Sequence, residues 1–320
     1  MSERTKSGPA RSGPAKSGPA KSGSARPGTG EPAPGSPARL AVRKTHKLFI
    51  GGAFPRSESG RSYPVHGAGG TVLAFAARAS RKDLRDAVVA ARAAFGGWSG
   101  ATAYNRGQVL YRVAELMEGR AAQFAAEVAA AEGLRRGPAE VVVAAAIDRW
   151  VWYAGWSDKV AQIAGAANPV AGPYFNFSVP EPTGVVAIVA PAASSLLGLV
   201  SVLAPVIVTG NTAVVVASED RPLPSVALTE VLATSDVPAG VVNLLTGSVA
   251  ELAPVAAAHM DVNAIDLTGV PVTDRADLER AAAASLKRVL GGDESFDGSP
   301  GTGRLLAALE IKTVWHPVGI

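Results

Sequence analysis

Ser194 and Ser195 are adjacent hydroxyls following an apolar run that ends at Pro191, so they are candidates for nucleophilic chemistry. A serine attacks a carbonyl only with a base beside it, and no Gly-x-Ser-x-Gly turn surrounds this pair. The four histidines, His46, His66, His259 and His316, lie far apart, with neither His-x-His nor His-x-x-x-His spacing. No metal site is expected from them. The 320 residues contain no cysteine, which removes thiolates, disulfides and zinc–thiolate sites together. No Gly-x-Gly-x-x-Gly or Walker A sequence marks a phosphate site.

The elements that would position such residues are legible in the patterning. KLFIGGAF (47–54) and GTVLAFAARAS (70–80) read as short strands between Gly-rich turns. Ser80 reads as the N-cap of a helix carrying Leu84, Val88, Ala91 and Phe95 at helical spacing. Residues 104–132 read as one long amphipathic helical region, Gly137-Pro138 as a break, and residues 140–160 as a further helix. Trp150, Trp152, Tyr153 and Trp156 in that helix read as core. From Thr183 onward strands and helices alternate. Strands are expected at 185–191, 212–218, 241–247 and 264–269, with helices at 195–209, 224–235, 250–259 and 274–289. Alternation with short loops predicts an α/β fold with a Rossmann-like, doubly wound parallel sheet. Residues 291–304 read as a linker and LEIKTVW (309–315) as a final strand.

Charge and composition are uneven along the chain. Residues 1–47 hold ten Lys/Arg against two Asp/Glu, a net +8, while the rest holds 21 against 25, a net −4. The repeats SGPAR, SGPAK, SGPAK and SGSAR carry little apolar surface to offset ordering entropy, so residues 1–41 are expected to form a disordered tail. One charge per five residues without aromatics does not predict nucleic-acid binding. The apolar run 185–208 is broken by prolines, serines and glycine, which fits a buried strand and helix and not a membrane span. With no signal peptide in the sequence and no cysteine, a cytoplasmic location is expected.

RWVWYAGWSDKV (149–160), PVAGPYFNFSVPEPTGVVAIVAP (169–191) and LAPVIVTGNTAVVVASE (203–219), followed by GVVN (240–243) and DLTG (266–269), resemble in fixed order the coenzyme-binding half of the aldehyde dehydrogenase superfamily. The resemblance covers residues 42–290. It implies a β-hairpin oligomerisation element at 166–182 and an oligomerisation strand within 305–320. In the family, a catalytic domain follows the segment similar to LKRVL (286–290). Here residues 291–304 intervene before the strand.

The same resemblance implies lost chemistry. The family's nucleophile is a cysteine, and its oxyanion-hole asparagine corresponds to Ala193. Losing one such donor costs on the order of 3 kcal/mol in the transition state. No catalytic residue is therefore expected. For the coenzyme, Glu219, Thr268 and Gly269 match cofactor-contacting positions. The lysine that partners the glutamate is Val216, two glycines are Val249 and Ala253, and the pyrophosphate-contacting serine is Val270. No cofactor is expected, with a remnant NAD site as the alternative.

What the resemblance leaves is an arm. Tyr174, Phe175, Phe177 and Val179 in the hairpin, with Ile311, Val314 and Trp315 in the last strand, are the expected interface residues. In the family such a hairpin pairs with the catalytic-domain sheet of a neighbouring subunit. The expectation is a non-catalytic subunit, a pseudoenzyme, in a hetero-oligomer with a full-length aldehyde dehydrogenase. The alternatives are an NAD(P)-dependent aldehyde dehydrogenase, and a nucleotide-binding or scaffold module tethered by its basic tail.

Overall fold

Residues 42–292 and 294–319 are described by a computed structural model of the chain. The tail 1–41 expected from composition lies outside the described residues. An N-terminal sheet comes first: β1 (Thr45–His46), β2 (Ser62–His66) and β3 (Val72–Ala77), in the order β1-β3-β2. The helix α1 (Arg81–Gly100) begins where predicted. Ser80 Oγ accepts from the Asp83 amide, and Asp83 accepts from the Ser80 amide at 2.7 Å, a reciprocal capping box. Asp83 also accepts from Ser57 Oγ at 2.8 Å, tying the cap to the preceding loop.

The region read as one helix over 104–132 is two, α2 (Ala103–Glu118) and α3 (Ala121–Glu132), separated at Gly119 and Arg120. Arg120 turns outward to bind Glu230 at 2.8 Å. The break expected at Gly137-Pro138 falls earlier. Gly133, at φ 71°, ends α3 in a left-handed conformation that costs glycine nothing. Pro138 instead lies in the first turn of α4 (Arg136–Trp156), where its missing donor is not needed. Trp150 and Tyr153 are buried as expected, while Trp152 and Trp156 are half-buried against the same core. A short helix α5 (Val160–Ala164) leads to β4 (Ala166–Asn168) and β5 (Tyr174–Pro182).

The parallel sheet follows: β6 (Val185–Val189), α6 (Leu197–Val208), β7 (Thr212–Val216), α7 (Leu223–Thr234), β8 (Val242–Leu245), α8 (Val249–Ala258), β9 (Ala264–Asp266) and α9 (Val272–Ala283). Residues read as the end of the last helix form instead a fifth strand, β10 (Arg288–Leu290), in parallel register with Ala264–Asp266. Helix and strand are separated by Leu286, at φ 54°. The strand order is β10-β9-β6-β7-β8. Residues of β6, β7, β8 and β9 are buried throughout, which is why they read as continuous apolar runs and not as alternating ones. Residues 291–302 join β10 to α10 (Gly303–Ala307), so the start of the region read as a C-terminal strand is helical. Then comes β11 (Leu309–Pro317), two residues longer than predicted.

The hairpin is where the structure departs most from the expectation, which places the partner strand of β5 on another subunit. β5 pairs with β4 on one edge and along its whole length with β11 on the other, from Tyr174 opposite Pro317 to Pro182 opposite Leu309. The three strands form their own antiparallel sheet, β11-β5-β4. β5 is central in it, and the long outer edge belongs to β11. Tyr174, Phe175, Ile311 and Trp315 stay about half exposed, while Phe177, Val179 and Val314 are partly covered.

Candidate functional site

In a doubly wound sheet, ligands bind beyond the carboxyl ends of the strands, where the strand order reverses. Here that point lies between β6 and β9. A crevice of about 770 Å³ opens there, lined by Pro191, Ala193, Ser194, Thr268, Gly269 and Phe296 among others. Its floor is the loop 191–195, held from several sides. Ser218 Oγ donates to the Ala192 carbonyl at 3.3 Å, Arg221 Nη1 to that of Ala193 at 2.7 Å, and Ser225 Oγ to that of Ser195 at 3.2 Å.

Both serines are used up in building this loop. Ser194 Oγ accepts from the Gly198 amide at 2.9 Å in the first turn of α6. Ser195 donates from its amide at 2.7 Å and its hydroxyl at 2.6 Å to Glu132 Oε1. A carboxylate therefore does stand beside a serine, which local sequence could not reveal across 63 residues. Yet Ser195 is 1% exposed, and its partner oxygen already holds the loop amide. The pair is a helix-start clamp, with no space for a carbonyl to reach the hydroxyl.

The predicted coenzyme residues divide between two places. Thr268 and Gly269 sit together on the crevice wall, after β9. Glu219 lies beyond β7, lining a separate cavity of about 360 Å³ with Tyr63, His66 and Arg221. Each has an internal partner. Thr268 donates from its amide and hydroxyl to Asp266 Oδ1, at 2.9 and 2.5 Å, and accepts from Arg304 at 3.0 Å. Gly269 is dictated by packing, because a Cβ there would run into the Ala190 carbonyl oxygen. Glu219 Oε2 accepts from the Val249 amide at 3.1 Å, so its carboxylate serves the α8 N-terminus. The Glu219 carbonyl accepts from the Tyr63 hydroxyl at 3.2 Å. Burial, then the Glu219 charge, pushes the Tyr63 hydroxyl well above the usual tyrosine range. Val216 is buried in its strand and offers no donor. The Thr268 hydroxyl and one oxygen of the exposed Glu219 carboxylate are thus bonded to the chain itself.

Three residues that sequence reasoning passed over shape the site more than those it chose. Asp266 is fully buried at the end of β9 and pairs with Arg304 at 2.7 Å. Arg304 also reaches Glu294 at 2.8 Å. Burial opposes the Arg304 charge, but Asp266 and then Glu294 outweigh it and raise its pKa. Arg149, buried on α4, donates to the carbonyls of Phe296 and Gly298 at 2.8 and 2.9 Å. The signal available was a charge inside an apolar strand pattern, in AIDLTG. Among the described residues, no cluster of three or more His, Asp or Glu could hold a metal ion. No described helix is long and apolar enough to cross a membrane.

The profile of the aldehyde dehydrogenase family matches residues 55–294, well over half of the chain. The chain belongs to the aldehyde dehydrogenase family. It is 34% identical over 270 residues to aldehyde dehydrogenase family 2 member B4, mitochondrial, of Arabidopsis thaliana, covering 80% of this chain and 48% of that protein. It is 33% identical over 255 residues to human retinal dehydrogenase 2, covering 77% and 48%. Among solved structures, HpcC from Thermus thermophilus superposes with a TM-score of 0.73 at 32% identity, over 78% of this chain and 49% of that one. The NAD+ complex of aldehyde dehydrogenase from Bacillus cereus gives 0.73 at 29% identity, over 78% and 52%. The chain thus spans about half the length of the aldehyde dehydrogenases it matches.

Proposed function

We propose that this chain is a non-catalytic subunit that joins a full-length aldehyde dehydrogenase through the sheet β11-β5-β4. The observation that carries the reading is the outer edge of that sheet. The nine-residue strand β11 has one edge bonded to β5, and its other edge has no strand partner among the described residues, so alternate residues turn backbone donors and acceptors outward. Half-exposed Ile311 and Trp315 project beside it. An apolar edge of that length invites strand addition or aggregation. Strand addition takes its affinity from the main-chain ladder and its selectivity from the flanking side chains.

Site chemistry supports the non-catalytic half of the reading. A cysteine-free chain cannot form a thiohemiacetal, and Ala193 offers no side-chain donor to an oxyanion. The internal bonds on the Thr268 hydroxyl and on Glu219 Oε2 support a subunit that works without NAD. A cytoplasmic location and the absence of a nucleic-acid partner belong to the same proposal.

Co-expression with a full-length aldehyde dehydrogenase from the same source tests it. The expected result is a co-purifying complex whose light-scattering mass contains both chains. Separate elution of the two at micromolar concentration would overturn the reading.

A further inference from the structure

Residues 294–304 hold the chain's least expected contacts, and they converge on the crevice at the strand-order reversal. Glu294, Ser295, Phe296 and Asp297 form one wall of it. Phe296 packs against the main core, and its carbonyl accepts from buried Arg149 at 2.8 Å. Arg304 closes the other end of the segment. One guanidinium nitrogen meets fully buried Asp266 at 2.7 Å, another meets Thr268 Oγ1 at 3.0 Å, and Nε meets Glu294 at 2.8 Å. Leu305 and Ala308 are then fully buried, and the Ala308 carbonyl accepts from buried Asn211 at 2.9 Å.

We infer that residues 294–304 are a strap latched by Arg304 onto Asp266, which walls the crevice on one side and occupies the Thr268 hydroxyl from within. The physical reason is the position of the charges. A buried carboxylate without a partner is costly, so Asp266 strongly favours the closed arrangement in which Arg304 neutralises it. The Asp266 oxygen not bound by Arg304 takes both Thr268 donors. One carboxylate therefore organises both the strap and the residue that the family resemblance assigns to coenzyme contact. Thr268 lines the crevice, whereas Arg304 lines a neighbouring cavity of about 330 Å³, so a ligand that drew on the Thr268 hydroxyl would compete with the Asp266 and Arg304 bonds already on it. The competition is for one hydroxyl, and the crevice itself stays open. The inference rests on the fold alone and does not require the partner proposed above.

Chymotrypsin cleavage after Phe296 reads the strap directly, through release of the peptide 297–320 measured by mass. Proteolysis of this kind tracks the population of the opened form. In the full chain, Asp266→Asn is expected to raise the rate of this cut roughly tenfold or more, because a charge-assisted bond to a buried group is lost. Cuts after the buried Phe124, Trp150 and Tyr153 should stay at the wild-type rate. Glu294→Gln, at the exposed rim, is expected to raise the rate about two- to threefold, in line with a partly exposed pair. A wild-type rate in Asp266→Asn overturns the latch. If Asp266→Asn unfolds the body, so that Phe124, Trp150 and Tyr153 are cut as fast as the strap, Glu294→Gln decides. A rise confined to Phe296 supports the strap, and an unchanged rate overturns it.

Discussion

The rings of Tyr174 and Trp315 meet edge to face, with centroids 5.7 Å apart and planes at 77°. One residue opens β5 and the other lies near the end of β11, so this contact joins the hairpin to the tail strand on one face of the small sheet. Phe175 and Phe177 pair on the opposite face at 5.4 Å. The two apolar surfaces are thus distinct, although the sequence presents their residues in one run.

That separation makes the interface testable by face. Replacing Phe175 and Phe177 by Glu, or Ile311 and Trp315 by Glu, is expected to abolish co-purification with a full-length aldehyde dehydrogenase if the substituted face touches it. The far-ultraviolet circular dichroism of the body should be unchanged in both variants. Retention of the complex in both would refute the sheet as the contact. Trp315→Ala alone should lose about 0.5–1.5 kcal/mol of stability from the aromatic pair, beyond its area term, as read by urea denaturation.

Asn211 is fully buried and joins three segments. Its carbonyl accepts from the Gly184 amide at 2.8 Å, and its amide donates to Thr209 Oγ1 at 3.0 Å and to the Ala308 carbonyl at 2.9 Å. Asn211→Leu keeps the volume close and strands the Gly184 donor, while the Ala308 carbonyl keeps the Thr183 amide at 3.3 Å. An unsatisfied buried group costs about 1–3 kcal/mol, which sets the loss expected by denaturant titration. A loss under about 0.5 kcal/mol, the range of ordinary surface substitutions, would contradict the assignment.

Titration calorimetry with NAD addresses the crevice. No saturable heat is expected with the wild-type chain, and Glu219→Ala should lower the melting temperature by releasing the α8 N-terminus. A helix-end anion is worth about 0.3–1 kcal/mol, which sets the scale of that shift. Saturable NAD binding that Glu219→Ala removes would show that the carboxylate serves a ribose after all.

His46 provides a pH handle. Burial, then Lys44, lowers its pKa below the ordinary 6.5, with Glu230 opposing. The folded state therefore favours the neutral ring. Its contribution to stability is present above pH 6.5 and is lost as pH falls from there through the lower folded value. Thermal melts across that window should show a decline that His46→Gln reduces. An identical slope in the variant would remove His46 as its source.

Strand–helix alternation, the Ser80 helix start and the loss of thiol chemistry are properties of local sequence. Each depends on residues within a few positions of one another, or on composition alone, so the α/β class could be read directly. The sheet β6–β9 was legible for a related reason, since strands buried on both faces must be apolar at every position. Residues 288–290 were not, because three residues carry no periodicity and become a strand only when β9 offers its edge. The same holds for the hairpin: that β5 lies between β4 and β11 depends on a strand more than a hundred residues downstream. Glu132 against Ser195, and Arg304 against Asp266, are likewise pairs that only the folded chain brings within 3 Å. Sequence alone determined the α/β class and the absence of any thiol from these 320 residues. Tertiary structure decided how the remaining polar groups satisfy one another, because a buried charge must find its partner wherever the fold places one.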